Sequence, residues 1–234
     1  MQFFRNDHKL TPSWDLVPIS FNLGKENIWP IFYLSFLPRL ISVVGIVLVG
    51  VYDPNQSFTL DEKSIIGLAL AVFGSAWSLL AYPGLIKMQL EAVAGKQPDA
   101  WLCFKKGLSK VIPFVIMALL AALAIFFGLL FFIIPGLILI RGLTLSAYYL
   151  IDKNLGPTDA LKQSFAESKH HAGYIWGTIG VGIVFSMLSS SVGRIPVAGY
   201  IFAILVAMIY LFGPALRYKE IQAAEASQPR PVQT

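Results

Sequence analysis

Cysteine is almost missing from this chain: Cys103 is the only one in 234 residues. A single thiol excludes an intramolecular disulfide and a thiolate metal cluster within one chain. Histidine is scarce too, with three residues. Two of them, His170 and His171, are neighbours that point about 100° apart on a helix, a poor arrangement for one metal ion, and only His8 remains. No G-x-S-x-G turn or H-E-x-x-H helix occurs, and Ser189, Ser190 and Ser191 have no histidine base nearby in sequence. The chain therefore reads as non-enzymatic, with no cofactor and no metal expected.

Charge is the other shortage. Charged residues make up 13% of the chain against 56% hydrophobic, and the mean hydropathy is +0.67, well outside the balance of soluble domains. Several apolar runs approach or exceed the ~20 helical residues that cross a ~30 Å hydrocarbon layer, so one large soluble core does not explain them. The net charge of +5 comes from bases beside apolar spans, not from one dense patch. That pattern suits a membrane surface and gives no reason to expect nucleic acid.

Six spans are predicted, near 28–52, 64–90, 111–134, 136–151, 172–191 and 197–216. All are expected to be helical, because lipid offers backbone polar groups no partner. The predicted fold class is thus all-α, a polytopic membrane protein of six transmembrane helices with interfacial amphipathic helices in an internal repeat. Residues 1–27 read as a cytoplasmic N-terminal segment that is retained, being too polar for a cleavable signal peptide. Residues 28–218 form the six-helix domain, and 219–234 a cytoplasmic flexible tail, small, polar and proline-containing. The third and fourth spans are separated at Pro135-Gly136. With both termini cytoplasmic, most of the 18 Lys and Arg fall inside. Only Lys63 and Arg194 then lie outside, and Arg39 and Arg141 lie within spans.

PDAWLCFKKGLSK, residues 98–110, is too charged for a bilayer core. At 100° per residue it places Ala100, Trp101, Cys103, Phe104, Gly107 and Leu108 on one side. Asp99, Lys105, Lys106, Ser109 and Lys110 fall on the other, and Leu102 is out of place. Such a helix is expected to lie flat in the headgroup region, its lysines against anionic phosphates. TDALKQSFAESKH repeats the pattern, with Asp159, Ala160, Phe165 and Lys169 near the places of Asp99, Ala100, Phe104 and Lys110. The break Ile134-Pro135-Gly136 is echoed by Ile195-Pro196. AYPGLIKMQ, GLTLSAYYL and FGPALRYKE each close an apolar run. The repeating unit is an inward helix, a surface helix and an outward helix.

The run FFIIPGLILIRGLTLSAYYLIDKNLGPTDALKQSFAESKHHAG joins an Ile-Pro-Gly break, an apolar stretch, an Asp-containing turn with Gly and an Ala-Leu-x-x-Ser surface helix. In this it resembles the bacterial YciC-like membrane proteins, which are similar to the membrane domain fused to some glycerophosphodiester phosphodiesterases. The likeness covers about residues 80–218. It implies a six-helix protein of the bacterial cytoplasmic (inner) membrane, of uncharacterised role. The phosphodiesterase activity belongs to a soluble domain that these residues do not contain, and it is not carried over.

Arg39 is the costliest residue. Counted from residue 28 it lies about 16 Å deep, where a guanidinium costs roughly 2.5–3.5 kcal/mol, and all 13 carboxylates fall outside the spans. Either Arg39, shared with Arg141, binds an anionic ligand or lipid, or Arg39 caps a proline-broken helix at Pro38 while Arg141 snorkels to the outer face. Lys105, Lys106 and Lys110 are the headgroup candidates. Gly173 and Gly177 give a small-xxx-small surface for packing within the bundle or, alternatively, for a homodimer. The expected role is organisational, in the envelope, with membrane phospholipids as partners. The alternative is a transporter or channel for a small or lipid-like anion, with a polar path through Arg39, Ser75, Ser78, Tyr82 and Tyr148.

Overall fold

The computed structural model describes residues 10–49, 62–192, 206 and 209–227, which are helical with no strand among them. The first apolar rod, Ile28–Leu48, is built of α2 (Ile28–Ile31), a π-helical turn (Phe32–Phe36) and α3 (Leu37–Leu48). Pro38 accounts for the π-turn. Its ring lacks an N–H and would press on the carbonyl one turn back, and the strain is taken up by a wider turn in which Leu37 N–H donates to Phe32 O.

The partner of this rod is α4 (Glu62–Val93), and glycine sets their separation. A methyl group on Gly45 would sit 2.5 Å from Gly67 O, and one on Gly74 would sit 2.7 Å from Pro38 O. The two backbones therefore touch along most of a span, as lipid-embedded helices do when small residues line the seam. Ser42 Oγ donates to Ala71 O across it (3.3 Å) and lies 3.1 Å from Ser75 Oγ.

Then follow α5 (Ala100–Leu108), α6 (Val111–Phe131), α7 (Ile133–Leu143), α8 (Ser146–Asp152), α9 (Pro157–His170) and α10 (Ala172–Val192). Four rods are long and apolar enough to cross a membrane: Ile28–Leu48, Ser64–Val93, Val111–Phe131 and Ile133–Asp152. The pair α9 and α10 passes the same test together but turns through 105° at His171, so the number is four, or five with the bent pair. The expected sixth span, 197–216, lies largely outside the described residues.

Three boundaries differ from expectation. The break between the third and fourth spans falls at Phe132, whose extended backbone (φ −154°, ψ 131°) parts α6 from α7. Pro135 sits in the first turn of α7, where its missing N–H is one the helix would not have used. Residues Leu16–Glu26 of the expected N-terminal segment form a helix, α1, which buries Leu16, Ser20 and Leu23 on one side. The expected tail is corrected at its start, because α11 (Gly213–Ser227) continues into it as far as Ser227 and buries Glu220 and Ile221.

Packing is concentrated at one end. The last turns of α4 meet α8 and α11 there, with Met88, Tyr149, Leu216, Tyr218 and Ile221 fully buried. Tyr149 and Tyr218 pack edge to face at 4.9 Å. Tyr148 Oη donates to Gln89 Oε1 (2.8 Å), both residues being buried. α1, α5 and α9 cover this end, called here the capped end. At the opposite end of α6 and α7, Phe126, Phe127 and the run Leu129–Ile134 are exposed apolar side chains, as lipid-facing surface must be.

α5 is seated on α4 through paired glycines: a Cβ on Gly107 would fall 2.5 Å from Gly84 Cα. Gly107→Val should therefore unseat α5 at a cost of about 1–3 kcal/mol. The expected result is a lower thermal midpoint in detergent and alkylation of the otherwise buried Cys103, measured by mass shift.

Candidate functional site

Pro98-Asp99 starts α5: the Asp99 backbone is extended and its carboxylate accepts the Leu102 N–H (2.9 Å), so the helix is capped by the residue before it. Docking through Cys103 and Gly107, both buried, turns Lys105 and Lys106 outward. Trp101 and Leu108, expected on the apolar side, are 73% and 47% exposed. Beneath the helix lies Glu91 of α4. Its Oε1 is 4.0 Å from both Lys87 Nζ and Lys106 Nζ, and its Oε2 accepts from Cys103 Sγ at 3.4 Å. Burial, reinforced by the charge and hydrogen bond of Glu91, pushes the Cys103 thiol up to about 12. It is a packing residue and a poor nucleophile.

The five basic candidates do not converge. Lys110 Nζ donates to Asn154 Oδ1, tying the start of α6 to the turn before α9. Arg39 is exposed on α3 and close enough to Tyr82 of α4 for its charge to be felt there. Arg141 is half-buried on α7, with Nε unpartnered among the described residues, beside Gly142, on which the Phe165 ring of α9 rests. The hydroxyls of Ser75, Ser78 and Tyr148 on the expected polar path have partners within the fold. Ser75 pairs with Ser42 and donates to Ala71 O, Ser78 donates to Gly74 O, and Tyr148 is occupied by Gln89.

Gly177 abuts Ser13 of the same chain, whose hydroxyl donates to Tyr174 O (3.3 Å). Gly173 has no neighbour within 4 Å of a would-be Cβ, and both glycines line a cavity of about 650 Å³ together with His170 and His171. The side chains of Ser189–Ser191 are outside the described residues.

A second cavity, of about 510 Å³, opens between the first rod, α4 and α5. Its lining is chiefly aromatic: Trp29 and Tyr33 on the first rod, Trp77 on α4, Trp101 and Phe104 on α5. Trp101 stacks on Phe104 at 6.0 Å, and Phe104 on Trp77 at 6.1 Å.

The most demanding polar site lies on the last described helix. Arg217 of α11 is fully buried. Its Nη1 donates to Glu220 Oε2 (2.6 Å), Nε to Thr178 Oγ1 (3.1 Å), and Nη2 to Thr11 O (2.9 Å) and Ser13 Oγ (3.1 Å). The guanidinium lies 5.3 Å from the Tyr174 ring centre, and Glu220 Oε1 accepts the Thr11 N–H (3.3 Å). Burial lowers the guanidinium's affinity for its proton while Glu220 opposes that effect, and burial likewise raises the Glu220 carboxyl. Nearby, burial raises the Glu225 carboxyl to about 8, with the hydrogen bond and charge of Glu167 on α9 adding to it and Lys153 opposing. The only trace of Arg217 in sequence is an Arg-x-x-Glu spacing, one helical turn apart; its other acceptors lie on distant segments.

Compared with known proteins, the chain matches no family model, no curated protein and no solved structure.

Removing one partner of a buried ion pair strands the other charge. Arg217→Met is expected to destabilise the fold by about 3–5 kcal/mol, and the double change Arg217→Met/Glu220→Met to cost less than the single one, by denaturation in detergent. Glu225 adds a pH dependence. A carboxyl raised in the fold gives stability at low pH that is lost as pH climbs through its folded value. Glu225→Gln should therefore melt with the wild type near about pH 4, below the ordinary carboxyl value of the unfolded chain, and increasingly above it as pH rises to about 9.

Proposed function

We propose that this chain is a non-enzymatic, multi-pass protein of a bacterial inner membrane, organisational in the envelope, which holds anionic phospholipid at its capped, cytoplasmic end. The observation that carries the reading is the seating of α5. Fixed by Gly107 on Gly84, it presents Lys105 and Lys106 outward beside an exposed Trp101. Cations beside an interfacial indole suit the headgroup layer. The inside placement of this end follows from the bases gathered there, on α5, α9 and α11.

The proposal includes six spans and an internal repeat, in line with the YciC-like resemblance. Three surface helices in turn meet a glycine-bearing helix end: α5 at Gly84, α9 at Gly142, where Ser164 Oγ donates to Gly142 O (2.7 Å), and α1 beside Gly213, where Ser20 Oγ accepts the Phe212 N–H (3.1 Å). The match is approximate: Asp99 caps α5, whereas Asp159 lies inside the first turn of α9, whose N-cap is Gly156. The transporter alternative has less support, because Ser42, Ser75, Gln89 and Tyr148 satisfy one another.

Each lysine near an anionic surface is worth about 1 kcal/mol, or roughly a fivefold preference. Native mass spectrometry of the full chain with mixed phosphatidylglycerol and phosphatidylcholine should show an anionic preference that Lys105→Gln/Lys106→Gln lowers by at least about fivefold. An unchanged ratio would overturn the reading.

A further inference from the structure

The aromatic cavity beside α5 has a shape and position that the lysines do not explain. Trp29, Tyr33 and Leu37 follow one another along one side of the first rod, at i, i+4 and i+8, and form one wall. The stacked rings of Trp101, Phe104 and Trp77 form the other, running from the surface helix down onto a spanning helix. Eight residues at no more than 1.5 Å each, the π-turn rising less, make the groove at most about 12 Å long, within one leaflet's share, about 15 Å, of the hydrocarbon layer. Its long axis is that of the span, the direction in which lipid chains lie.

We infer that this groove is a binding site for one acyl chain of a phospholipid from the leaflet at the capped end. The inference rests on the reading that α5 lies at headgroup level. Size argues against a protein occupant: ten residues of helix, about 15 Å long and 10 Å across, displace roughly 1,200 Å³, against the cavity's 510 Å³. Single small ligands take pockets of about 300–1,000 Å³. Composition agrees, since the lining is apolar and ringed. Its one carboxylate, Asp99, is tied to the Leu102 N–H.

Charge at the mouth fixes which end of the lipid sits where. Lys105 follows Trp101 by one turn on α5. Lys25 stands in the last turn of α1, over the Phe21 ring at 4.4 Å, four residues before Trp29. A phosphate resting between the exposed Trp101 and Lys105 leaves its chain to descend past Phe104 and Trp77. The rings recognise hydrocarbon, and the lysine only selects among headgroups.

The two parts separate experimentally. The full chain, purified in mild detergent, is expected to retain one phospholipid in native mass spectrometry. Ala100→Trp and Leu37→Trp, which fill the groove from different helices, should each lower the retained fraction at least tenfold. Lys105→Gln/Lys106→Gln should change which headgroup is retained without lowering that fraction. Filled variants that keep lipid as the wild type does, while the lysine variant loses its anionic preference, sink the groove and leave the headgroup reading standing. Loss of preference failing in the lysine variant, with retention lost in the filled ones, does the reverse.

A measurement on the wild type guards against misfolded variants. Phosphatidylcholine with brominated chains, titrated into the detergent-solubilised protein, should quench tryptophan emission saturably at one lipid per chain. Trp77→Phe should reduce the quenched amplitude. Quenching that only rises in proportion to bulk lipid overturns the site.

Discussion

A guanidinium shut away from water must find an acceptor for each N–H, and the fold at the capped end is arranged around that demand. Arg217 has no exposed surface, and an unpaired charge there would cost several kcal/mol. The groups that satisfy it come from three places: Glu220 one turn away, Thr178 on α10, and the Thr11 carbonyl and Ser13 hydroxyl ahead of α1. One residue thereby fastens the beginning of the described chain, α10 and α11 to a common point. Tyr218, on the same helix as Arg217, packs with Tyr148 and Tyr149 of α8 and extends this ordered region toward α4.

The rest of the molecule follows a different rule. Among the spans, backbone contact at Gly45, Gly67 and Gly74 replaces side-chain interlocking, because lipid gives helices no hydrophobic reason to associate. The surface helices join the two regimes. α5 is held by a glycine contact on one side and by the Glu91 cluster below, so its outer residues keep a fixed orientation. α9 is held similarly by the Ser164 bond to Gly142 O.

Composition and run length were enough to read the helical, membrane-type architecture, and the start of α5 was legible because Pro98-Asp99 is a local signal. The π-turn was foreshadowed by Pro38, but nothing in the sequence tells a widened turn from a kink. α1 escaped notice because its buried stripe is short and interrupted by polar residues. It becomes apolar only in the company of α11. Arg217 falls among the cytoplasmic bases of a charge tally, which sees residue type and not burial, and its partner at Thr11 is 206 positions away. The aromatic groove escaped for want of proximity too. Trp29, Trp77 and Trp101 are ordinary interfacial residues until three helices bring their rings together.

The Arg217 knot also has a temporal side. Because Thr11 and Ser13 wait for a partner 204 to 206 residues downstream, nothing made before Arg217 supplies the cation that later anchors them. The tie between the two ends can therefore form only once the intervening helices have been synthesised, which makes it a late contact by the order of the chain alone.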